Sequence, residues 1–392
     1  MDVAFDPYAY GIHEDPYPTY AALREHAPVY RNDELDFWAL SRHADVLAAF
    51  RDAKRFSNDH GVSLDPESWG PQATAGTSFL ALDPPRHTRL RALVSKGFTP
   101  RRVADLEQRI RDMTTGYLDP LVGAGRFDFV AELAGKVPMD VISEMLGVPI
   151  ADRAELRRRA DLLVHRQEGM RNVPPEGLEA FQWIRAYFTR MIAERRKRPG
   201  DDLLSALFAA EIDGERLSDG ELLSFANLMI VAGNETTTKL LANAIYWLWR
   251  NPEQRARVRQ GLRRQLPGWV EETLRYDNST QVLARRANED FELHGERLRR
   301  GDRVLLLLGS GNRDERVFAN PDAYDIERDT SQSLSFGQGA HFCLGAALAR
   351  LEARVSLEEV LRRVPDYEIE PEGAVRVHSV NVRGFAVLPV KV

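Results

Sequence analysis

Phe336-Gly337-Gln338-Gly339-Ala340-His341-Phe342-Cys343-Leu344-Gly345 is the stretch on which the reading of this chain turns. Cys343 is the sole cysteine among 392 residues, which excludes an intrachain disulfide and any multi-cysteine zinc or iron–sulfur site. It ends a glycine-bearing loop and opens CLGAALARLEARVSLEEVLRR, an amphipathic pattern with Leu344, Leu348, Leu351 and Val355 on one face. A sulfur at a helix N-terminus meets unpaired N–H groups and the positive end of the helix dipole, which favours thiolate over thiol. Gly337 and Gly339 would let the loop turn back and aim further N–H groups at the sulfur, and Gly345 leaves room for a flat group. Three roles fit such a cysteine: a small buried hydrophobe, a catalytic nucleophile, or the single axial thiolate of a cofactor metal.

The rest of the chain sets the context. It is 43% hydrophobic and 29% charged, enough to bury a large core. A net charge of −6, from 53 basic and 59 acidic residues, argues against nucleic-acid binding. No window approaches the roughly 18 apolar residues of a membrane span, and MDVAFDPYAY lacks a secretory layout, so no membrane anchor and a cytoplasmic location are expected. Helical periodicity dominates PTYAALREHA, RRVADLEQRIRDMTTGYLDPL, GLEAFQWIRAYFTRMIAERRKR and DGELLSFANLMIVAGNETTTKLLANAIYWLWR. The last is bounded by Ser218-Asp219 and Asn251-Pro252. APVYRN and DFWALSR read as a hairpin, and EDFELHG, RVLLLL and AVLPVKV as further strands. Residues 61–82 and 311–340 read as irregular loops long enough to be functional. The expectation is one domain over 1–392, mainly α with a smaller β-rich portion.

Ala232-Gly233-Asn234-Glu235-Thr236-Thr237 sits in the middle of the longest helical pattern. Glycine and a carbonyl-seeking threonine there predict a kink or widened turn. Glu235 is costly to bury among apolar neighbours unless it has a purpose or a partner, and Lys239 at i,i+4 is one such partner.

FGQGAHFCLG resembles the Phe-x-x-Gly-x-His-x-Cys-x-Gly haem-binding loop of the cytochrome P-450 haem-thiolate monooxygenases, in particular the bacterial soluble branch. The resemblance extends over most of the chain and implies the cytochrome P-450 fold (α+β) with heme b (iron protoporphyrin IX). It implies Cys343 as iron ligand, with Phe336, Gly337 and Gly345 against the cofactor. Asp83-Pro84-Pro85-Arg86-His87-Thr88-Arg89-Leu90-Arg91 aligns His87 and Arg91 with propionate contacts, joined by Arg285 and His341, while Arg89 and Arg286 should point elsewhere. Gly233 would open space for dioxygen, Thr236 would hydrogen-bond the oxygen being activated, and Glu235 would relay protons, with Thr237 and Thr238 as further candidates. Glu272, Arg275 and Arg328 match the family's fold-holding trio.

The same resemblance implies a hydrophobic small-molecule substrate and a ferredoxin-type electron donor. Candidate substrate contacts are Trp69, Phe79, Leu80, Leu162 to Met170, Met229, Ala232, Val282 to Ala284 and Val380 to Val382, with His165, Gln281 and Asn381 as polar ones. Lys96, Arg101, Arg102 and Arg350 are candidates for a basic docking patch. Oxidative coupling, peroxide-driven chemistry and haem binding without turnover are the alternative readings.

Overall fold

The long pattern folds as one helix, Asp219–Arg250, whose 32 residues reach about 48 Å at 1.5 Å per residue. Its start is fixed by a capping box: Ser218 accepts from the Glu221 N–H while the Glu221 carboxylate accepts from the Ser218 N–H. The computed structural model describes residues 3–164, 166–167, 170–211 and 214–392. This helix belongs to two hydrophobic cores. Its C-terminal half packs with Glu107–Leu118, Leu262–Tyr276 and Ala346–Arg363. Its N-terminal half packs with Arg86–Ser95, Ile150–Val164 and Pro175–Lys197. Residues 232–237 fall between the two cores, where side chains are free to line a space rather than fill one.

The β portion is small and explains its own sequence pattern. Val29–Asn32 and Phe37–Leu40 form the expected antiparallel hairpin, with Val29 opposite Leu40. Phe37–Leu40 runs parallel to Arg303–Leu307, which pairs antiparallel with Val282–Ala287, and Phe56–Ser57 closes the edge. Arg303–Leu307 is the central strand and is covered on both faces, hence its unbroken apolar run. EDFELHG contains Phe291–Leu293, and AVLPVKV contains Pro389–Lys391.

Two expectations are corrected. RRVADLEQRIRDMTTGYLDPL is two helices, Pro100–Ala104 and Glu107–Leu118, parted by a tight turn in which the Leu106 N–H bonds the Val103 carbonyl. Residues 61–82 are not wholly irregular: Pro71–Ala73, Thr74–Thr77 and Ser78–Ala81 each form a short helical turn.

Residues 311–340 are irregular apart from their ends, where Gly311 closes the short helix Leu308–Gly311 and Gly339–His341 forms a helical turn, so the backbone acceptors between need partners other than a ladder. Arg275 supplies several. It forms a bidentate pair with Glu272 at 2.7 Å, both side chains fully buried, and donates to the carbonyls of Asn312 and Pro321. Arg328 joins Glu272 at 3.4 Å and donates to the Asn320 and Ala323 carbonyls, completing the expected trio. Asn312 then accepts from the Leu334 N–H at 2.7 Å, which fixes the entry to the cysteine loop. Glu272→Ala would strand Arg275 without a counter-charge. We expect a loss of about 3–5 kcal/mol in chemical denaturation, as for other broken buried pairs.

Candidate functional site

The cysteine loop is shaped by Gly337 and Gly339, with φ of 67° and 69°. At Gly339 any Cβ would lie 2.6 Å from the Phe50 carbonyl oxygen, so only glycine fits. The loop does not gather N–H groups around sulfur as expected. The Gly337 N–H bonds the Leu334 carbonyl, and the Cys343 N–H bonds the Phe336 carbonyl. The adjoining helix begins at Ala346, and the Gly345 N–H donates to the sulfur. Burial therefore dominates and pushes the thiol up from its ordinary range, against the pull of that N–H, Arg91 and Arg350. The expected thiolate preference of the free side chain is not met; a bound metal cation would have to supply it.

The sulfur side of Cys343 opens on a cavity of about 1340 Å³, measured with its mouth. Phe336, Gly337, Leu344 and Gly345 line the cysteine side. Met229, Ala232, Gly233, Thr236 and Thr237 come from the long helix, and Phe79, Leu80 and Leu283 from beyond it. A Cβ on Gly345 would meet no atom within 4 Å, so the loop leaves open space there.

Four basic residues gather at one side of the cavity. Arg285 is 2% exposed with no carboxylate partner; its one hydrogen bond among the described residues is to its neighbour's carbonyl, Ala284. Desolvation pulls its pKa down to about 10. Arg91 donates to the Phe342 carbonyl through Nη2 while its Nη1 is buried and unpartnered. The His87 and His341 rings lie 4.0 Å apart, and their buried nitrogens make no hydrogen bond of normal geometry, although the Leu82 carbonyl lies near His341. Burial lowers His87 to about 4 and His341 further. Stranded donors and an uncompensated cation fit a flat group carrying two carboxylates, as heme b does. Arg89 and Arg286 turn away as expected: Arg89 pairs with Glu215 and Glu221, Arg286 with Asp59.

On the long helix, Thr236 donates to the Ala232 carbonyl at 2.8 Å, and residues 232–237 stay α-helical, without the widened turn that was one of the two expectations there. A Cβ on Gly233 would stand 3.5 Å from Ile142, an ordinary contact. Glu235 is buried but is not among the cavity-lining residues; it pairs with Lys239 at 3.2 Å. Thr237 lines the cavity and hydrogen-bonds Glu352, while Thr238 turns to the Ala134 carbonyl. Glu352, on Ala346–Arg363, was not anticipated. Its one signal in the sequence is an acid beside the apolar face of the cysteine helix.

The substrate-side expectations divide. Phe79, Leu80, Met229, Ala232 and Leu283 line the cavity. Val282 and Ala284 do not, because strand alternation turns them to the opposite face. Trp69 packs against the core of the N-terminal region and lies 5.8 Å from the His60 ring, and Val380 to Val382 lie outside the lining. Gln281 is spent on the Asn278 carbonyl and Asn381 on that of Val282. His165 lies outside the described residues, and no described residue of 162–170 lines the cavity. Instead Arg166 clasps Asp65 at 2.7 Å, both 7% exposed, joining that segment to residues 61–82. Among the candidate docking cations Arg101 and Arg102 are exposed, and Lys96 reaches the Glu211 carbonyl. Arg350 is not free: it pairs with Glu271 and stacks on Phe336.

Comparison with known proteins agrees with this geometry. The cytochrome P450 family model matches residues 176–389. The chain is 54% identical over its whole length to a putative cytochrome P450 123 of Mycobacterium tuberculosis, covering 97% of that protein. Its structure superposes on cytochrome P450 CYP109Q5 of Chondromyces apiculatus with a TM-score of 0.90, at 41% identity, covering 100% and 98% of the two chains. CYP109E1 of Bacillus megaterium, solved in complex with testosterone, gives 0.89 at 33% identity over 98% and 99%. No helix among the described residues is long and apolar enough to cross a membrane.

Glu352 yields a pH test. Complete burial raises its pKa well above the ordinary 4.5, so the folded chain holds a proton that the unfolded chain has released. Folded stability must then fall as pH rises from about 4.5 towards the folded value. In Glu352→Gln that slope should vanish, making the variant progressively more stable than the parent with rising pH in denaturant titrations.

Proposed function

The chain belongs to the cytochrome P450 family, and from that premise we propose that it oxidises a hydrophobic small molecule with electrons from an external ferredoxin. It is a haem-thiolate monooxygenase that binds heme b. The observation that carries the substrate reading is the cavity: apolar walls from Phe79, Leu80, Met229 and Leu283 lead to the Cys343 sulfur. The testosterone held by a structural neighbour supports the same class, a compact apolar skeleton such as a steroid, terpenoid, fatty acid or polyketide.

The haem, when bound, supplies the oxygen- and electron-handling chemistry. Cys343 Sγ would hold its iron, with Phe336, Gly337 and Gly345 against the ring. Arg285, Arg91, His87 and His341 would hold its carboxylates, giving each stranded donor an acceptor. The bare backbone at Gly233 leaves room for dioxygen beside Thr236. Thr236 Oγ1–H can swing from the Ala232 carbonyl to donate into the cavity, and Glu235 one residue earlier reloads it through water. Exposed Arg101 and Arg102, with Lys96 nearby, offer an acidic ferredoxin a cationic surface. Action in the cytoplasm, beside that donor, completes the reading.

The direct test is a panel of steroids, terpenoids, fatty acids and polyketides read by the iron spin-state shift, followed by product analysis under labelled dioxygen. A substrate that shifts the spin state should acquire one labelled oxygen atom. Cys343→Ser should abolish the red-shifted Soret band of the ferrous carbon monoxide adduct; a surviving band would overturn the ligand assignment. Neutralising Arg101 and Arg102 together should weaken ferredoxin binding roughly tenfold at low salt and little at high salt. Titrations at two ionic strengths read that difference.

A further inference from the structure

We infer that Ser279 is the polar anchor of the substrate: its hydroxyl donates to an oxygen atom carried by an otherwise apolar guest. The inference rests on the hydrophobic-substrate reading above and narrows it to an apolar skeleton bearing a carbonyl or hydroxyl function. Ser279 and Thr280 line the cavity between the helix Leu262–Tyr276 and the strand Val282–Ala287, and neither stands among the expected substrate contacts. Ser279 is 4% exposed, and its Oγ is buried with no hydrogen-bond partner among the described residues. A serine hydroxyl in a loop ordinarily turns to a backbone carbonyl nearby. Here each neighbouring carbonyl already has another donor. That of Asp277 accepts from Asn243 Nδ2, that of Asn278 from Gln281 Nε2, that of Ser279 from the Arg383 N–H, and that of Thr280 from Asn278 Nδ2. A buried hydroxyl left without an acceptor carries its full desolvation cost, which an oxygen on a guest removes.

The hydroxyl stands on a fixed frame. Asp277, fully buried, accepts from Tyr17 Oη and Trp247 Nε1 at 2.8 Å and from Arg383 Nε at 2.7 Å. Thr280 pairs with Val382 in an antiparallel bridge, and the Gln281 N–H bonds the Asn381 carbonyl. Rotation about χ1 is the freedom that Ser279 keeps, so meeting a guest costs it little order. Other polar residues lining the cavity are engaged: Asn58 donates to the Leu80 carbonyl and Ser335 to that of Leu274. Thr280 is half-buried, so its hydroxyl can meet water and gains less from a guest. A donor among apolar walls selects strongly, because a guest without an oxygen at that point leaves the hydroxyl stranded. Anchored there, the skeleton is also held in one orientation, so the same bond governs which carbon is oxidised.

The test titrates the haem-loaded parent and Ser279→Ala with matched pairs, each a hydrocarbon and its ketone: androstane and androstanone, p-menthane and menthone, cyclododecane and cyclododecanone. Kd is read from the iron spin-state shift. For the ketones that bind, Ser279→Ala should raise Kd roughly tenfold while the hydrocarbon partner binds as well as before or better. A merely structural defect would weaken both. Ser279→Thr keeps the hydroxyl and should keep the parent's ratio of ketone to hydrocarbon affinity. Independently of turnover, the carbonyl stretch of the bound ketone should lie lower in the parent than in Ser279→Ala. Products from the ketone should spread over more positions in that variant. An affinity ratio or a carbonyl stretch that Ser279→Ala leaves unchanged means that water alone answers the hydroxyl; it overturns the inference and leaves the hydrophobic-substrate reading standing. If Thr280→Val removes the ketone preference and Ser279→Ala does not, the anchor is Thr280 and the inference is again overturned. If no hydrocarbon or ketone shifts the spin state, the hydrophobic-substrate reading falls, and this inference with it.

Discussion

Positive charge buried without a protein counter-charge is the constraint on which this structure depends. Taking a guanidinium out of water costs several kcal/mol unless something negative meets it, and among the described residues Arg285 has one carbonyl, the Phe50 ring and the more distant Asp83 charge, but no ion pair. Arg91 Nη1 and the two facing imidazoles add donors that the chain leaves unanswered. An occupant carrying two carboxylates removes all these penalties at once. Its binding energy is then also folding energy for the region between the two cores, and the cofactor is part of what stabilises the fold. The Glu272–Arg275 pair performs the complementary task from below. It organises backbone that has no ladder and so fixes where the cysteine loop can stand.

The long helix separates proton supply from substrate space. Successive helical residues are about 100° apart, so Thr236 faces the cavity while Glu235 turns out of it towards Lys239 and the Ile150–Val164 helix. A carboxylate facing the apolar chamber would draw in water and penalise a hydrophobic guest. Placing it one residue off the lining keeps it within reach of Thr236 and leaves the walls apolar. The acid that does face the chamber, Glu352, is held by burial in its neutral form and bonded to Thr237, so it adds no charge.

What the sequence disclosed is what local geometry determines. The glycine turns of FGQGAHFCLG, the Ser218 cap, the hairpin and the opposite destinations of Arg285 and Arg286 follow from φ preferences, capping and strand alternation within a few residues. What it concealed depends on groups far apart in the chain. Arg350 is withdrawn from the docking face by Glu271, 79 residues away. The sulfur stands among the apolar walls of the cavity, whose desolvation outweighs the helix end. Trp69, a large aromatic in a loop rich in small residues, satisfies the N-terminal core instead of the cavity. Glu352 carries only a faint local mark; it matters through Thr237, which a second helix brings against it.

The forces holding the two sides of the cavity differ in kind. On the cysteine side a continuous apolar core backs Leu348 and Leu351, and removing any part of it exposes hydrocarbon to water. Over the cavity a second apolar core is joined by polar connections to residues 61–82: Arg166 with Asp65, the Val173 N–H with Glu67, and Arg185 with the Ala75 carbonyl. An ion pair that separates regains hydration on both partners, whereas apolar surface that separates regains nothing. Parting those polar connections alone therefore costs less, for the same area of surface, than parting the apolar contacts on the thiolate side.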